Sequence, residues 1–338
     1  MLEKAVSLRS MNTFGLDARA ALYFRIERLD QLNSLWKTNL LQLASPLVLG
    51  GGSNVVFRRD YHGLVLHNRL KGVEVLSDDG KFVQVRFGAG ESWHDCVMYS
   101  VTRGWGGLEN LSLIPGTIGA APIQNIGAYG AEMKDVFESL EAFDLQEGRI
   151  CVFDKDACAF GYRDSFFKRE GKGRYCITSV TLKLSIRPEL NISYGDVQNT
   201  LAEMGIVQPN VQDVSNAVIR IRRSKLPDPL ELGNCGSFFK NPIITRELFE
   251  RLQAQYPDLR SFPAGGEKVK IPAAWLIEKD GWKGKRIGNT GSHAKQALVL
   301  VNYGGASGEE VSMLADRIAA SVLDHFGVRL EKEVNILG

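Results

Sequence analysis

Three consecutive glycines, Gly50-Gly51-Gly52, follow the apolar run Pro46 to Leu49 and lead through Ser53-Asn54 into a second apolar run, Val55-Val56-Phe57. A Rossmann dinucleotide unit needs GxGxxG spacing and a helix directly behind it, so that the helix N-terminus meets the pyrophosphate. Here the spacing is wrong and the next element reads as a strand. A Walker-type phosphate loop is excluded as well, because no Gly-Lys pair in the chain is followed by Ser or Thr. A nucleotide site on this chain therefore belongs to another fold.

A second small-residue segment runs Ile114-Pro115-Gly116-Thr117-Ile118-Gly119-Ala120-Ala121-Pro122-Ile123-Gln124-Asn125-Ile126-Gly127-Ala128-Tyr129-Gly130. Glycine and alanine leave backbone N–H groups uncovered, and glycine accepts positive φ, so successive amides can converge on an anion. Read from the residues alone, the two segments are either tight turns between strands or a cradle for a phosphate or dinucleotide cofactor. Gln124 and Asn125, set among residues too small to fill a core, favour the cradle. Such local capture is needed because 41 Lys and Arg against 39 Asp and Glu leave a net charge of only +2. That balance announces neither a nucleic-acid partner nor an anionic membrane.

Length sets the organisation: 338 residues exceed what one core usually arranges, so several packed domains are expected. No run of about 18 apolar residues occurs, which excludes an ordinary membrane-spanning helix. The start Met1-Leu2-Glu3-Lys4-Ala5-Val6 lacks the apolar stretch of a signal peptide. The five cysteines, Cys96, Cys151, Cys158, Cys176 and Cys235, are odd in number and form no CxxC pair. They read as reduced thiols in the cytoplasm and give no zinc site. The histidines His62, His67, His94, His293 and His325 share no ligand spacing, so no metal is expected.

Periodicity places the elements. Strands are expected at Leu22–Ile26, Pro46–Leu49 and Asn54–Phe57, with a helix from Asp30, as N-cap, to about Leu43. Alternation at Val83, Val85 and Phe87 predicts antiparallel pairing with one wet face, joined by Glu138–Leu145, Gly148–Phe153 and Tyr175–Leu184. Helices are expected at Ser92 to Arg103, stopped by Gly104; from Val211 to Pro227; at Thr245–Gln255; and at Pro272–Lys279, with proline in the first turn. A strand Gln296–Asn302 precedes a strongly amphipathic helix opened by the capping box Ser307-Gly308-Glu309-Glu310. A last strand is expected at Leu330–Ile336.

At the glycine segments the sequence resembles the UDP-N-acetylenolpyruvoylglucosamine reductases. The likeness continues through FGYRDS (Phe160 to Ser165), SYGD (Ser193 to Asp196), KLPDP (Lys225 to Pro229), GSFFKNP (Gly236 to Pro242), AAWLIE (Ala273 to Glu278), QALVLVN (Gln296 to Asn302) and LEKEV (Leu330 to Val334). Their ordered occurrence over nearly the whole chain is what makes the likeness specific. It implies an α+β protein with a vanillyl-alcohol-oxidase-like (PCMH-type) FAD-binding fold and a separate α+β substrate-binding domain. The implied division is 1–69 with 330–338, then 70–222, both binding FAD, and 223–328 for substrate. SYGD and AAPIQ point to the subclass whose tyrosine-bearing loop closes over the substrate. Lys332, where a proline is common, and Ala120-Ala121, where glycine or serine is usual, depart from the pattern without removing a chemical group.

The activity implied is reduction of UDP-N-acetylglucosamine enolpyruvate to UDP-N-acetylmuramate, a peptidoglycan precursor, by NADPH through bound FAD, in a protein with no demand for more than a monomer. FAD would be held by Gly50, Gly51, Gly52, Ser53 and Asn54 and by Pro115, Gly116, Gly119, Ala120, Pro122, Asn125, Gly127, Ala128 and Tyr129. Arg163 would grip the substrate carboxylate as negative charge grows on it. Glu333 would stabilise the enol, and Ser237 would deliver the proton to carbon. Without the resemblance, Arg163 reads as an ion-pair partner of Asp164, Ser237 as a turn hydroxyl, and Glu331 and Glu333 as solvated edge residues. Tyr194, Lys225 and Arg222 are candidates for the diphosphate, and Tyr162, Asn241 and Gln296 for sugar, uracil or nicotinamide. Cys235 is expected to pack.

Overall fold

Strand Phe82–Gly88 buries Val83, Val85 and Phe87 and leaves the residues between them half-exposed, the pattern of a sheet with one wet face. It lies inside a five-stranded antiparallel sheet ordered Ile150–Asp154, Phe137–Asp144, Tyr175–Ser185, Phe82–Gly88, Val73–Asp78. The middle strand Tyr175–Ser185 is buried along nearly all of its length. Helix Trp93–Val101 covers the sheet, packing Trp93, Cys96, Val97 and Val101 against Val83, Val85, Phe87, Val180 and Leu182. A second sheet of four strands has the order Leu2–Ser7, Arg19–Ile26, Tyr61–Asn68, Leu47–Leu49. Its last two members run parallel with Leu49 opposite His67, so the glycine triplet begins where that edge strand ends.

These sheets belong to the first of two units in the computed structural model, which describes residues 1–44 and 46–338. The first unit gathers Met1–Val6, Ala20–Gly52 and His62–Ser224; the second gathers Ser7–Arg19, Ser53–Tyr61 and Lys225–Gly338. Mixed helices and largely antiparallel sheets make the fold α+β, as expected.

The second unit is built on helix Gly308–Phe326, whose Val311, Leu314, Ala315, Ile318, Val322 and Phe326 are all buried in its core. The capping box forms: Ser307 Oγ accepts from the Glu310 N–H at 3.1 Å and the Glu310 carboxylate accepts from the Ser307 N–H at 2.8 Å. Around it lie a four-stranded sheet ordered Gly233–Ser237, Val299–Asn302, Thr290–Ser292, Arg286–Ile287 and a three-stranded one from Ile243–Thr245, Lys268–Lys270 and Phe262–Pro263. Strand Asn335–Leu337 pairs in parallel with Val55–Phe57.

Several expected boundaries move, each for a local reason. The helix expected from Asp30 to Leu43 is two helices, Leu29–Trp36 and Leu40–Leu43, because Asn39 turns left-handed at φ 59° between them. Its cap is Arg28, not Asp30: Gln31 Oε1 accepts from the N–H groups of Glu27 and Arg28 at 2.7 and 2.9 Å, and Asp30 binds the Arg28 guanidinium. Pro272 stands at the cap of helix Ala273–Lys279, one step before the first turn. The terminal strand spans only Asn335–Leu337, since its partner Val55–Phe57 offers three residues. Glu333 is therefore not on that strand. Helix Gly195–Glu203, directly after Tyr194, was not expected.

The capping box and the buried stripe give a paired expectation for urea unfolding. Ser307→Ala should cost about 1 kcal/mol, the usual worth of a cap. Ile318→Ala should cost roughly 2–5 kcal/mol by leaving a cavity. Equal losses from the two changes would contradict this account of the helix.

Candidate active site

The two glycine segments meet inside the first unit. A Cβ added at Gly51 would lie 3.0 Å from Gly116 Cα, and one at Gly50 would strike the Thr117 hydroxyl. Backbone therefore lies on backbone here, which only glycine permits. Beyond Thr117 the chain makes a tight 3₁₀ turn, Ile118–Gln124, that carries Gly119, Ala120 and Pro122, with Ile118 and Pro122 turned into the core. Asn125 ends it in a left-handed conformation, φ 43°. Its amide donates to Glu132 Oε2 at 3.0 Å and to the Gly161 carbonyl at 3.1 Å, and its oxygen accepts from the Lys134 N–H at 3.1 Å. Gly127-Ala128 then pairs with Ala131-Glu132, and Tyr129 is left-handed again at φ 48°.

Arg163, in the same unit, is a third bulky residue held left-handed, at φ 53°. Its guanidinium donates to the Gly127 carbonyl at 2.7 Å, so it is tied directly to the second glycine segment. A Cβ on Gly127 would come within 3.2 Å of Arg163 Nη1 and 2.9 Å of the Ala131 carbonyl. The carboxylate of Asp164 is bound by Arg169, and Tyr162 lies under the Arg163 guanidinium, 5.6 Å from ring centre to Cζ. Positive φ in non-glycine residues costs free energy and is retained where surrounding contacts over-determine it. Asn125, Tyr129 and Arg163 supply three such positions around one short hairpin.

Tyr129 links this segment to two substrate candidates. Tyr194 meets its ring edge-on, with centroids 5.5 Å apart, and keeps 41% of its own surface exposed. Arg222 reaches the Tyr129 side chain and donates through Nε to the Leu113 carbonyl at 3.2 Å. Burial pulls the Arg222 guanidinium below its ordinary pKa while Tyr129 pushes it back up, and burial raises Tyr129. The backbone here is pinned by Asn110, whose amide donates to the carbonyls of Tyr129 and Asn191 at 2.9 and 2.8 Å. Asn110, Asn191 and Glu132 were not anticipated. Asn110 and Asn191 find partners 19 to 81 residues away, and Glu132 meets Asn125 seven residues back across the hairpin, so no helical or strand spacing marks them.

The second unit brings Ser237 and Glu333 together. Ser237 ends strand Gly233–Ser237, and the chain continues as Phe238-Phe239-Lys240 beside Glu331-Lys332-Glu333. The Glu333 N–H donates to the Phe238 carbonyl and the Lys240 N–H to the Glu331 carbonyl, both at 2.9 Å, around an antiparallel bridge of Phe239 and Lys332. Phe238 and Phe239 are buried and anchor the strip. Asn54 joins it, donating to the Glu333 carbonyl at 3.4 Å and accepting from the Asn335 N–H at 3.1 Å. Lys332 binds Asp316, so the residue that stands where proline is common adds an ion pair to the long helix. Cys235 is buried beside Glu333 and its thiol is pushed far up, first by burial. It packs and offers no thiolate.

Asn241 spends its oxygen on the Ala273 N–H at 3.0 Å, at the start of helix Ala273–Lys279. Gln296 closes the turn before strand Val299–Asn302, and Lys225 is exposed at the end of helix Val211–Lys225. The candidates thus divide between the units. Gly50 to Gly52, residues 115–130, Tyr162, Arg163, Tyr194 and Arg222 lie in the first, and Ser53, Asn54, Lys225, Ser237, Asn241, Gln296 and Glu333 in the second. Among the described residues no group of His, Cys, Asp and Glu side chains could hold a metal ion, and no helix is long and apolar enough to cross a membrane.

Comparison with known proteins places this geometry. Residues 20–154 match the FAD binding domain family, and residues 228–337 match the C-terminal domain of UDP-N-acetylenolpyruvoylglucosamine reductase. The chain is 45% identical over 337 residues to the UDP-N-acetylenolpyruvoylglucosamine reductase of Flavobacterium johnsoniae, covering 99% of each. It is 48% identical to that of Amoebophilus asiaticus, again covering 99% of each. The solved UDP-N-acetylenolpyruvylglucosamine reductase of Thermus caldophilus superposes with a TM-score of 0.69 at 25% identity, covering 100% of this chain and 99% of that one. With both halves matched and identity sustained from end to end, the chain belongs to the UDP-N-acetylenolpyruvoylglucosamine reductase family.

Proposed function

We propose that this chain binds FAD on its glycine segments and reduces UDP-N-acetylglucosamine enolpyruvate to UDP-N-acetylmuramate with NADPH, using Arg163, Ser237 and Glu333. The residues present suit a flavin dinucleotide: Gly50-Gly51 lies against Gly116-Thr117 with no room for a side chain between them, the kind of uncovered backbone from which a diphosphate's donors would come. When bound, FAD supplies the two-electron carrier between NADPH and substrate. Gly50 to Asn54 with Pro115, Gly116, Gly119, Ala120, Pro122, Asn125, Gly127, Ala128 and Tyr129 would hold it, and this chain's other groups would manage the charge that reduction leaves on the substrate.

Reduction at the methylene carbon puts negative charge on the adjacent carbon and its carboxylate. Arg163 offers a planar fork to that carboxylate, and its fixed bond to Gly127 means little reorganisation is needed as charge grows. Ser237 Oγ donates the proton to carbon. A serine hydroxyl is a weak acid, but a carbanion is a stronger base than the alkoxide left behind, so the transfer runs downhill. Glu333 supports the enol from the same strip, through a proton of its own or a bridging water. The observation that carries this reading is the backbone ladder that sets Ser237 and Glu333 side by side.

Residues 223–328 form the substrate part, with Lys225 facing the diphosphate and Asn241 and Gln296 hydrogen bonding the sugar nucleotide. Tyr194 closes on the substrate from its exposed position, and Arg222 acts through Tyr129. Tyr162 supports Arg163. The enzyme works as a cytoplasmic monomer.

Stopped-flow flavin absorbance separates the two half-reactions. Ser237→Ala should leave flavin reduction by NADPH near the parent rate and slow reoxidation by the enolpyruvyl substrate about 10²–10⁴-fold, the worth of a positioned acid. Equal slowing of both steps would remove Ser237 from the proton's path.

Gly127→Ala should also slow reoxidation, because the new methyl group crowds Arg163 and the Ala131 carbonyl. Its melting temperature should fall as well, because the Ala131 carbonyl must shift, and full activity in this variant would mean that Arg163 is not held for the reaction by its Gly127 bond.

A further inference from the structure

Leu113 is an apolar, γ-branched residue held at φ 59°, a conformation that glycine adopts freely and other L-residues adopt at a cost. It stands directly before Ile114-Pro115-Gly116, where the second glycine segment begins. Both of its backbone polar groups are taken by side chains from other elements. Its N–H donates to His94 Nδ1 at 3.0 Å, and its carbonyl accepts from Arg222 Nε at 3.2 Å. Because Nδ1 is the acceptor, the imidazole proton sits on Nε2 and His94 is neutral.

The same helix start grips the loop elsewhere. The Trp93 indole donates to the Leu111 carbonyl at 2.9 Å, the Trp93 N–H donates to the Gly116 carbonyl at 3.0 Å, and Ser92 bridges Thr117. Those contacts suit an ordinary loop. Among the described residues, His94 and Arg222 are the side chains that hydrogen bond the left-handed residue itself.

We propose that His94 and Arg222 are positioning residues that clamp Leu113 in its left-handed conformation and so preset the path of the Ile114 to Gly130 segment for FAD. The proposal rests on reading that segment as the flavin cradle. Neither residue needs to touch the flavin, because the effect passes through one peptide unit on either side of Leu113.

The clamp is sensitive to acid. A proton on Nδ1 turns the acceptor into a donor facing the Leu113 N–H. It also adds a cation near Arg222 and Arg223 on helix Val211–Lys225, opposed only by Asp95 on its own helix. Burial, ahead of these charges, already holds the His94 pKa below 6.5. The folded value is thus lower than the unfolded one, so the contribution is complete above the unfolded value and is lost as pH falls through the folded one.

The test uses purified holoenzyme of the parent, His94→Leu, His94→Asn and the double variant His94→Leu/Leu113→Gly. FAD release on dilution is followed by recovery of flavin fluorescence, and hydrogen–deuterium exchange is read over residues 111–118 of the same samples. His94→Leu should release FAD roughly tenfold faster, equivalent to about 1.4 kcal/mol, with faster exchange across the loop. His94→Asn, whose Oδ1 can accept the same N–H, should stay close to the parent. Leu113→Gly should restore slow release to His94→Leu, since glycine needs no clamp. Stepwise acidification from about pH 6.5 downward should speed release from the parent and leave His94→Asn unaffected.

Unchanged exchange over 111–118 in His94→Leu overturns the clamp, whatever the flavin does. Faster exchange with unchanged FAD release overturns the link to the flavin, and with it the cradle reading, while the clamp on Leu113 stands. Should His94→Leu fail to fold, the acid response of the parent against His94→Asn decides: parallel acceleration in both overturns the proposal.

Discussion

The close approach of Gly50-Gly51 to Gly116-Thr117 is the constraint on which the first unit's site depends. Two backbones can lie this near only if no side chain stands between them. One stretch leaves the end of a parallel edge strand, and the other leaves a loop stitched to the start of helix Trp93–Val101. Their junction therefore joins the four-stranded sheet to the helix that covers the five-stranded one. A side chain at either contact would push apart the elements that aim Asn125, Tyr129 and Arg163.

From that junction onward the site is built by over-determination. Leu113, Asn125, Tyr129 and Arg163 all sit at positive φ, and each is held by contacts from elsewhere in the chain. Asn110 and Asn191 fix the neighbourhood of Tyr129, Glu132 and Gly161 fix Asn125, and the Gly127 carbonyl fixes the Arg163 side chain. Strain of this kind is unfavourable locally and survives because the packed sheet beneath it is rigid. What it provides is a set of polar groups held in fixed positions around one hairpin.

Much of this was legible before any coordinates. Alternation at Val83, Val85 and Phe87, the stripe from Val311 to Phe326 and the capping box at Ser307 are local signals, and each formed where expected. The glycine segments were legible as bare backbone because composition alone shows what cannot fill a core, and the two meet at Gly51 and Gly116. Boundaries failed where distant partners decided them. The final strand is cut short by the three residues of Val55–Phe57, and the helix after Asp30 breaks at an asparagine whose left-handed turn no periodicity announces. Glu333 was read on a strand and lies instead in a strip against Phe238, a pairing across more than ninety residues of chain. The roles of Asn110 and His94 were invisible for the same reason: a hydrogen bond between remote segments leaves no trace in spacing.

The interleaving of the two units bears on how such a chain can be made. Its second unit takes one piece from Ser7–Arg19, one from Ser53–Tyr61 and the rest from Lys225 onward, and one pairing, Asn335–Leu337 with Val55–Phe57, joins segments far apart in sequence. During vectorial synthesis on a ribosome, Val55–Phe57 emerges long before Asn335–Leu337 and waits without that partner while the intervening chain is made. Loss of Asn335–Leu337 would leave that strand edge open, a ready surface for aggregation or for quality-control proteases.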